Sequence, residues 1–398
     1  MLKVCFITPN MFPVPNVKGG AIEALVSNMV RVQEKNNKLD MTVVSIFDKN
    51  AYIESKKFKN TKFVYIKKNI RYYITGILYH ILNRLFKKNK NTYNHIALSK
   101  IKKNDYDYII AEGGHYESYN EFLKYFDRDQ LILHLHHQGS SNKIIDKTFS
   151  KLIGVSKFVS DDFKKSTKCI DVTYLNNGIE VDKFDKKCSE KEIKSLKKKY
   201  GIKDDDFVIL YCGRLIQIKG VLELIKAVKN VNMNNVKLMI LGSSSFLNGK
   251  EDEYTKKLNE EINGFEDKIF FTGYINNTEV YKYYALANIS CLPSIWEDAA
   301  PLTCIEAMMC RKVVLATRSG GAPEYLQEGT SLIVEKDKNL VKNLESGIKE
   351  LYSKKDKLPK LGEKAYNHAK KFNSINYYND FIDILTKFKE SGDCCEKK

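Results

Sequence analysis

Arg214 and Lys219 are two cations five residues apart in Gly213-Arg214-Leu215-Ile216-Gln217-Ile218-Lys219-Gly220, directly after the apolar run 207–212. Glycine allows a sharp turn out of a buried strand. From such a turn an arginine presents a bidentate fork and a lysine a point charge, a pair suited to a diphosphate. The competing reading is two solvated cations flanking a loop. A second segment, Pro293 to Met309, carries Glu297 and Asp298 before a helix and Glu306 within it. Backbone N–H groups at a helix start, around Ala300, Leu302 and Thr303, bind anions without needing side chains, and the small residues at 299 and 300 admit a ligand close to the chain. Glu306 can accept both hydroxyl hydrogens of a ribose. Its bland alternative is a solvated helix face, and that of Asp298 is a helix cap worth about 1 kcal/mol. Neither explains one glutamate among Thr303, Cys304, Ile305, Ala307, Met308 and Met309.

Histidines form the third group. Four of the seven lie between 115 and 137, three of them in Leu133-His134-Leu135-His136-His137 at the end of a strand candidate. Alternation puts His134 and His136 on one face and His137 on the other. His136 can hydrogen-bond a hydroxyl or handle a proton, or be a satisfied buried histidine. A metal site is disfavoured because no carboxylate stands nearby in the sequence, so no metal is expected. His115, after Glu112-Gly113-Gly114, also sits at a strand end.

The elements that must position these groups alternate between short β-rich runs and helical patterns, which argues for parallel sheets covered by helices. Strands are expected at Val4–Thr8, Met41–Ile46, Lys62–Tyr65, Tyr108–Ala111, Leu131–Leu135, Lys151–Val155 and Val172–Leu175. A second set follows at Phe207–Cys212, Lys237–Leu241, Lys268–Phe271, Ile289–Pro293, Val313–Ala316 and Ser331–Val334. Gly19 and Gly20 open an amphipathic helix after the first strand. In open parallel sheets ligands lie beyond the carboxyl ends of the strands, where every candidate above falls.

Composition is that of a folded protein, with 43% hydrophobic residues, and 398 residues suit two domains. The net charge of +17 is read as spread over clusters such as Lys87-Lys88-Asn89-Lys90 and Lys194 to Lys199. No nucleic-acid-binding signature accompanies it, so nucleic acid is not expected as a partner. Nine cysteines without metal or redox spacing read mostly as small buried hydrophobes, among them Cys5, Cys212 and Cys291. With no bilayer-spanning run and no leader pattern, a cytoplasmic location, free or at the inner membrane face, is expected. One segment keeps the membrane open: 72–88 places apolar residues 74, 77, 78, 81, 82 and 85 on one helix face and ends in cations. The same pattern suits a core-facing helix whose basic last turn complements its dipole.

The two chemical segments, in this order, resemble the family-4 retaining glycosyltransferases of the GT-B fold (glycosyltransferase group 1). That family carries G-R-x4-K-G, matched by Gly213, Arg214, Lys219 and Gly220, and then P-S-x-x-E-x7-E-A-M, matched by Pro293, Ser294, Glu306, Ala307 and Met308. Gly19-Gly20 looks like its N-terminal glycine loop, and Ser319-Gly320-Gly321 with Pro323 and Glu324 like the segment after the long motif. One departure stands out: eight residues before Glu306 lies Asp298, with Glu297 nine before it. The first acidic role therefore goes to Asp298, with Glu297 as rival.

The resemblance implies two doubly wound Rossmann-like domains facing across a cleft, 1–175 for the acceptor and 176–370 for the nucleotide-sugar. A helix, 371–390, would return to the first domain before a polar tail, 391–398. It further implies metal-independent transfer of a sugar, with retention, from a nucleoside-diphosphate sugar, with a UDP-linked donor expected. The acceptor would be a saccharide or lipid-linked, in surface polysaccharide or glycolipid synthesis. Arg214 and Lys219 would meet the diphosphate, Glu306 the ribose, Asp298 the donor sugar and His136 the reacting centre, with the base near Tyr274 and Ile275. No resident cofactor is implied, since the nucleotide-sugar is a co-substrate. The rivals are a GT-B sugar-nucleotide epimerase and a non-catalytic coat or surface-assembly protein that keeps the fold.

Overall fold

The computed structural model describes residues 1–243 and 252–391. The pair Cys394-Cys395 and the tail from 392 on lie outside the described residues. The chain forms two compact units, Met1–Gly178 with Ser374–Lys398, and Ile179–Asn373.

The first unit is built on seven parallel strands: β1 (Leu2–Ile7), β2 (Leu39–Ile46), β3 (Thr61–Ile66), β4 (Tyr108–Ala111), β5 (Leu131–Leu135), β6 (Lys151–Gly154) and β7 (Asp171–Tyr174). Their order is β3-β2-β1-β4-β5-β6-β7. The central strands are buried on both faces, which is why Val4-Cys5-Phe6-Ile7 and Ile109-Ile110-Ala111 run apolar without alternating. One covering layer pairs helix Ala21–Asn36 with helix Ser374–Ser391. Tyr377, Tyr378, Phe381, Leu385 and Phe388 are buried in that layer, and the Phe381 ring stands 5.6 Å from that of Phe6. The Tyr378 hydroxyl donates to Gln33 and accepts from the Lys38 backbone N–H at 3.2 Å. The last helix therefore completes the core of the N-terminal unit.

The second unit repeats the scheme with β8 (Phe207–Cys212), β9 (Val236–Leu241), β10 (Ile269–Gly273), β11 (Ile289–Leu292), β12 (Val313–Thr317) and β13 (Ser331–Val334), all parallel, in the order β10-β9-β8-β11-β12-β13. The order in which successive strands are added reverses between β1 and β4 in one unit and between β8 and β11 in the other. At such a point neighbouring connections leave on opposite sides and open a crevice at the carboxyl edge.

Helix Ile70–Phe86 departs from the core-facing reading. Ile74, Ile77, Leu78, Ile81 and Leu85 are exposed, and Tyr79 is its buried residue. The apolar stripe does not face the core.

Candidate active site

The crevice of the second unit gathers the residues that follow β8 and β11. After β8 the chain turns at Gly213 and passes through a short 3-10 turn, Gln217–Lys219, into helix Val221–Val231. Gly220 joins turn to helix at φ +70°, and a Cβ there would stand 1.9 Å from the carbonyl oxygen of Pro293. Only glycine permits this close passage of the two loops. The Ile295 backbone N–H donates to the carbonyl of Ile218 at 3.0 Å, which fixes the register between them.

Lys219 is thereby brought into an ion pair with Asp298, whose carboxylate also accepts from Ser294 Oγ at 3.4 Å. Asp298 is held from behind as well. Its backbone N–H donates to Ser319 Oγ at 3.0 Å, and its carbonyl accepts from the Gly321 N–H at 2.8 Å. Gly320, at φ +48°, lies so close that a Cβ would come within 2.2 Å of the Asp298 carbonyl oxygen. Pro301, not Asp298, occupies the cap of helix Leu302–Met309. The aspartate is thus a partner of Lys219 and not a cap. Glu297 turns elsewhere, pairing with Lys336 and accepting from the Gly320 backbone N–H. Of the two candidate acids, Asp298 is the one on Lys219.

Arg214 is exposed and has no ion-pair partner among the described residues. The hydroxyl of buried Tyr211 donates to its carbonyl at 2.7 Å. Asp298 and Arg214 both act electrostatically on Tyr211, whose hydroxyl burial pushes far above its ordinary value. Likewise the buried Cys304 thiol, raised by burial, feels Asp298, Lys219 and Glu306. Lys219 and Asp298 meet in their ion pair, Arg214 stands two residues after β8, and Glu306 lies within helix Leu302–Met309. Ala300, Leu302 and Thr303, at that helix start, are part-buried. The Glu306 carboxylate has no hydrogen-bond partner among the described residues, and burial pushes it up to about 7. A cleft of about 500 Å³ opens beside Tyr274 and Ile275, walled by Leu196 and Tyr283. Arg214, Lys219 and Glu306 are not in its lining.

The N-terminal unit carries its own constellation. His136 follows β5, and its Nε2 lies 2.7 Å from Glu112 Oε2, with His134 Nδ1 at 2.9 Å from the same oxygen. Glu112 directly follows β4, at the point where the strand order reverses. The metal reading had been set aside for want of a carboxylate. Glu112 supplies one, 22 residues before His134, and the three groups lie close enough to share an ion. Burial raises the Glu112 carboxyl, but the two histidines outweigh it and hold it below the usual carboxylate range. For His136 burial dominates and pushes the imidazole down, so the ring is neutral at pH 7. An ionised carboxylate only accepts, so each facing nitrogen must donate. His136 is left with an unprotonated Nδ1. Gly19 and Gly20, at φ +102° and +94°, lie between β1 and helix Ala21–Asn36 of this unit. His115 is exposed and lines a polar cleft of about 280 Å³ with His80, Asn83, Lys90 and Glu117.

Glu112 and Ser319 were named in the sequence without a role of their own, and Lys336 was not named. Glu112 carried a usable signal, since it ends a strand in a chain where strand ends were the places to search.

Residues 192–368 match the family model described as glycosyl transferases group 1. The chain is 24% identical over 226 residues to a lipopolysaccharide 1,2-N-acetylglucosaminetransferase of Salmonella typhimurium, covering 56% of this chain and 58% of that enzyme. It is 22% identical over 384 residues to the putative glycosyltransferase YtcC of Bacillus subtilis, covering 92% and 88%. Among solved structures, Anabaena HepE in complex with UDP and glucose superimposes with a TM-score of 0.75 at 18% identity, over 97% of this chain and all of that one. The two Rossmann-like units are those of the GT-B fold, and the likeness to the group 1 glycosyl transferases runs through residues 192–368, within the second unit.

Proposed function

We propose that this protein is a retaining hexosyltransferase of family 4. It would move a sugar from a nucleoside-diphosphate sugar, UDP-linked, to a saccharide or lipid-linked acceptor, in surface polysaccharide or glycolipid synthesis. One observation carries the reading: a guanidinium and a part-buried carboxylate, neither partnered among the described residues, and an ion-paired lysine lie on the segments that follow the neighbouring strands β8 and β11. Two cations and backbone N–H groups suit a diphosphate, and a part-buried carboxylate with no protein partner among the described residues suits the paired hydroxyls of a ribose. The UDP bound by HepE is in keeping with that choice.

In the transfer the bond between the anomeric carbon and the diphosphate oxygen breaks, and the electron pair leaves on the diphosphate. The acceptor hydroxyl oxygen forms the new bond and loses its proton. With retention the acceptor approaches on the face that the diphosphate leaves, so a diphosphate oxygen is the nearest base. Arg214 and Lys219 offset the charge growing on the leaving group, the role a metal fills elsewhere. Asp298, oriented by Ser294, Lys219 and Ser319, is proposed to receive the donor sugar, and Ala300, Leu302 and Thr303 to offer backbone contacts. His136, with a free Nδ1, is proposed to accept from a sugar hydroxyl. The polar cleft at His115 is the proposed acceptor contact.

A thermal-shift series tests the donor. UDP at one hundred times its Kd stabilises by about 2.7 kcal/mol, a rise of roughly 5–10 °C for the unit that binds it. GDP and ADP at the same concentration are expected to give no shift. A response to GDP or ADP alone would change the base, and no response to any of the three would sink the donor site. Turnover that persists in EDTA, measured as release of nucleoside diphosphate, is the expected result for metal independence.

A further inference from the structure

Sixty-six cations and 49 acids give this chain its charge of +17, yet residues 55–104 hold fourteen Lys and Arg and not one Asp or Glu. The excess is therefore not diffuse. At the centre of that stretch stands helix Ile70–Phe86, whose apolar residues point away from the protein: Ile74 is 61% exposed, Ile77 64%, Leu78 51% and Leu85 67%. They recur at i, i+3, i+4 and i+11, a single face.

The inner face of the same helix is what attaches it. Tyr79 is buried, with its ring edge-on to His95 at 5.4 Å. The Asn83 side chain brackets Lys90, donating to its carbonyl and accepting from its N–H, both at 2.9 Å. The outer face, more than half exposed at each of Ile74, Ile77, Leu78 and Leu85, adds little to this anchoring. Arg71, Arg84, Lys87 and Lys88 are exposed around it and carry no ion pair among the described residues.

We propose that this helix docks the protein on an anionic membrane surface. It would lie along the headgroup layer with Ile74, Ile77, Leu78 and Leu85 toward the acyl chains and the cations among lipid phosphates. Seventeen residues reach about 25 Å, short of the roughly 30 Å hydrocarbon core, and no described helix is long and apolar enough to cross a membrane. A second copy is the poorer occupant, because an isologous contact would set two basic regions against each other. The proposal stands independently of the donor reading.

The test uses the whole purified protein without nucleotide, sedimented with vesicles of phosphatidylcholine alone or with phosphatidylglycerol added. Binding to the anionic vesicles is expected to be at least tenfold stronger than to the neutral ones. Each cation near the surface is worth roughly fivefold, so the Lys87→Ala, Lys88→Ala pair should lose ten- to thirtyfold. Ile77→Glu with Leu85→Glu should lose at least tenfold, with Tm unchanged because both positions are exposed. Should that pair lower Tm, the lysine pair decides. Equal partition to both vesicle types, no binding at all, or variants that bind like the parent would overturn the proposal. So would a dimer in light scattering that Ile77→Glu dissociates, which would assign the face to a second copy.

Discussion

Arg214→Ala is expected to lower kcat/KM on the order of 10²–10³-fold, the range for losing one preorganised donor at a developing negative charge. Its unfolding free energy should stay within about 0.5 kcal/mol of the parent's, as for an exposed side chain without a partner among the described residues. The same separation of effects is not available at Lys219. Removing that lysine also unpairs Asp298 and disturbs the loop contacts made by Ser294 and Ser319. Arg214 is thus the cleaner probe. Arg214→Lys keeps the charge but loses the planar fork, so it should recover only part of the rate. If turnover and donor affinity are both unchanged in Arg214→Ala, the diphosphate lies elsewhere and the arrangement at the end of β8 has another purpose.

The strands were legible because parallel strands buried on both faces read as continuous apolar runs, and Phe207–Cys212 and Leu131–Leu135 could be placed to the residue. The residues proposed for the donor site could be picked out for a related reason. Strand ends are visible in sequence, and in an open parallel sheet they are where ligands meet side chains. What escaped was contact between segments. Ser319 and Lys336 act on Asp298 and Glu297 from 21 and 39 residues away, and nothing local in either marks that role. Glu112 is the same case in the other unit, since the pairing of β4 with β5, which brings it to His134 and His136, is a property of the sheet. Helix Ile70–Phe86 shows a different limit. Amphipathic spacing fixes that one face is apolar, but whether that face meets the core depends on which side the rest of the unit occupies. The concentration of charge in 55–104 was present in the sequence and needed only to be counted over a window, not by clusters.

Glu306→Gln is expected to make the protein more stable and a worse binder. Burial pushes the Glu306 carboxyl up to about 7 from an ordinary 4.5. The folded chain therefore holds this proton between pH 4.5 and 7 while the unfolded chain has released it. Stability falls as pH rises through that window, and above pH 7 the whole cost of the charge is present. A shift of that size corresponds to about 3 kcal/mol at most, and the side chain's partial exposure reduces it to about 1–2 kcal/mol. Glutamine removes the charge at the same shape, so the variant should gain about that much at pH 8 and nothing at pH 4.5, read as the difference in Tm against pH. A glutamate on a solvated helix face predicts no gain at either pH. Affinity should move the other way. Hydrogen bonds from ribose hydroxyls to an ionised carboxylate are worth about 1.5–3 kcal/mol, so UDP should bind roughly ten- to a hundredfold more weakly to the variant. In the parent those same hydroxyls favour the ionised form, so UDP affinity should rise with pH up to about 7 and binding should release a proton below it. Calorimetry in two buffers of different ionisation enthalpy reads that proton directly. A binding enthalpy independent of buffer at pH 6 would remove Glu306 from the ribose. Proton release lost in Glu306→Gln would tie the destabilising charge and the ligand contact to one carboxylate.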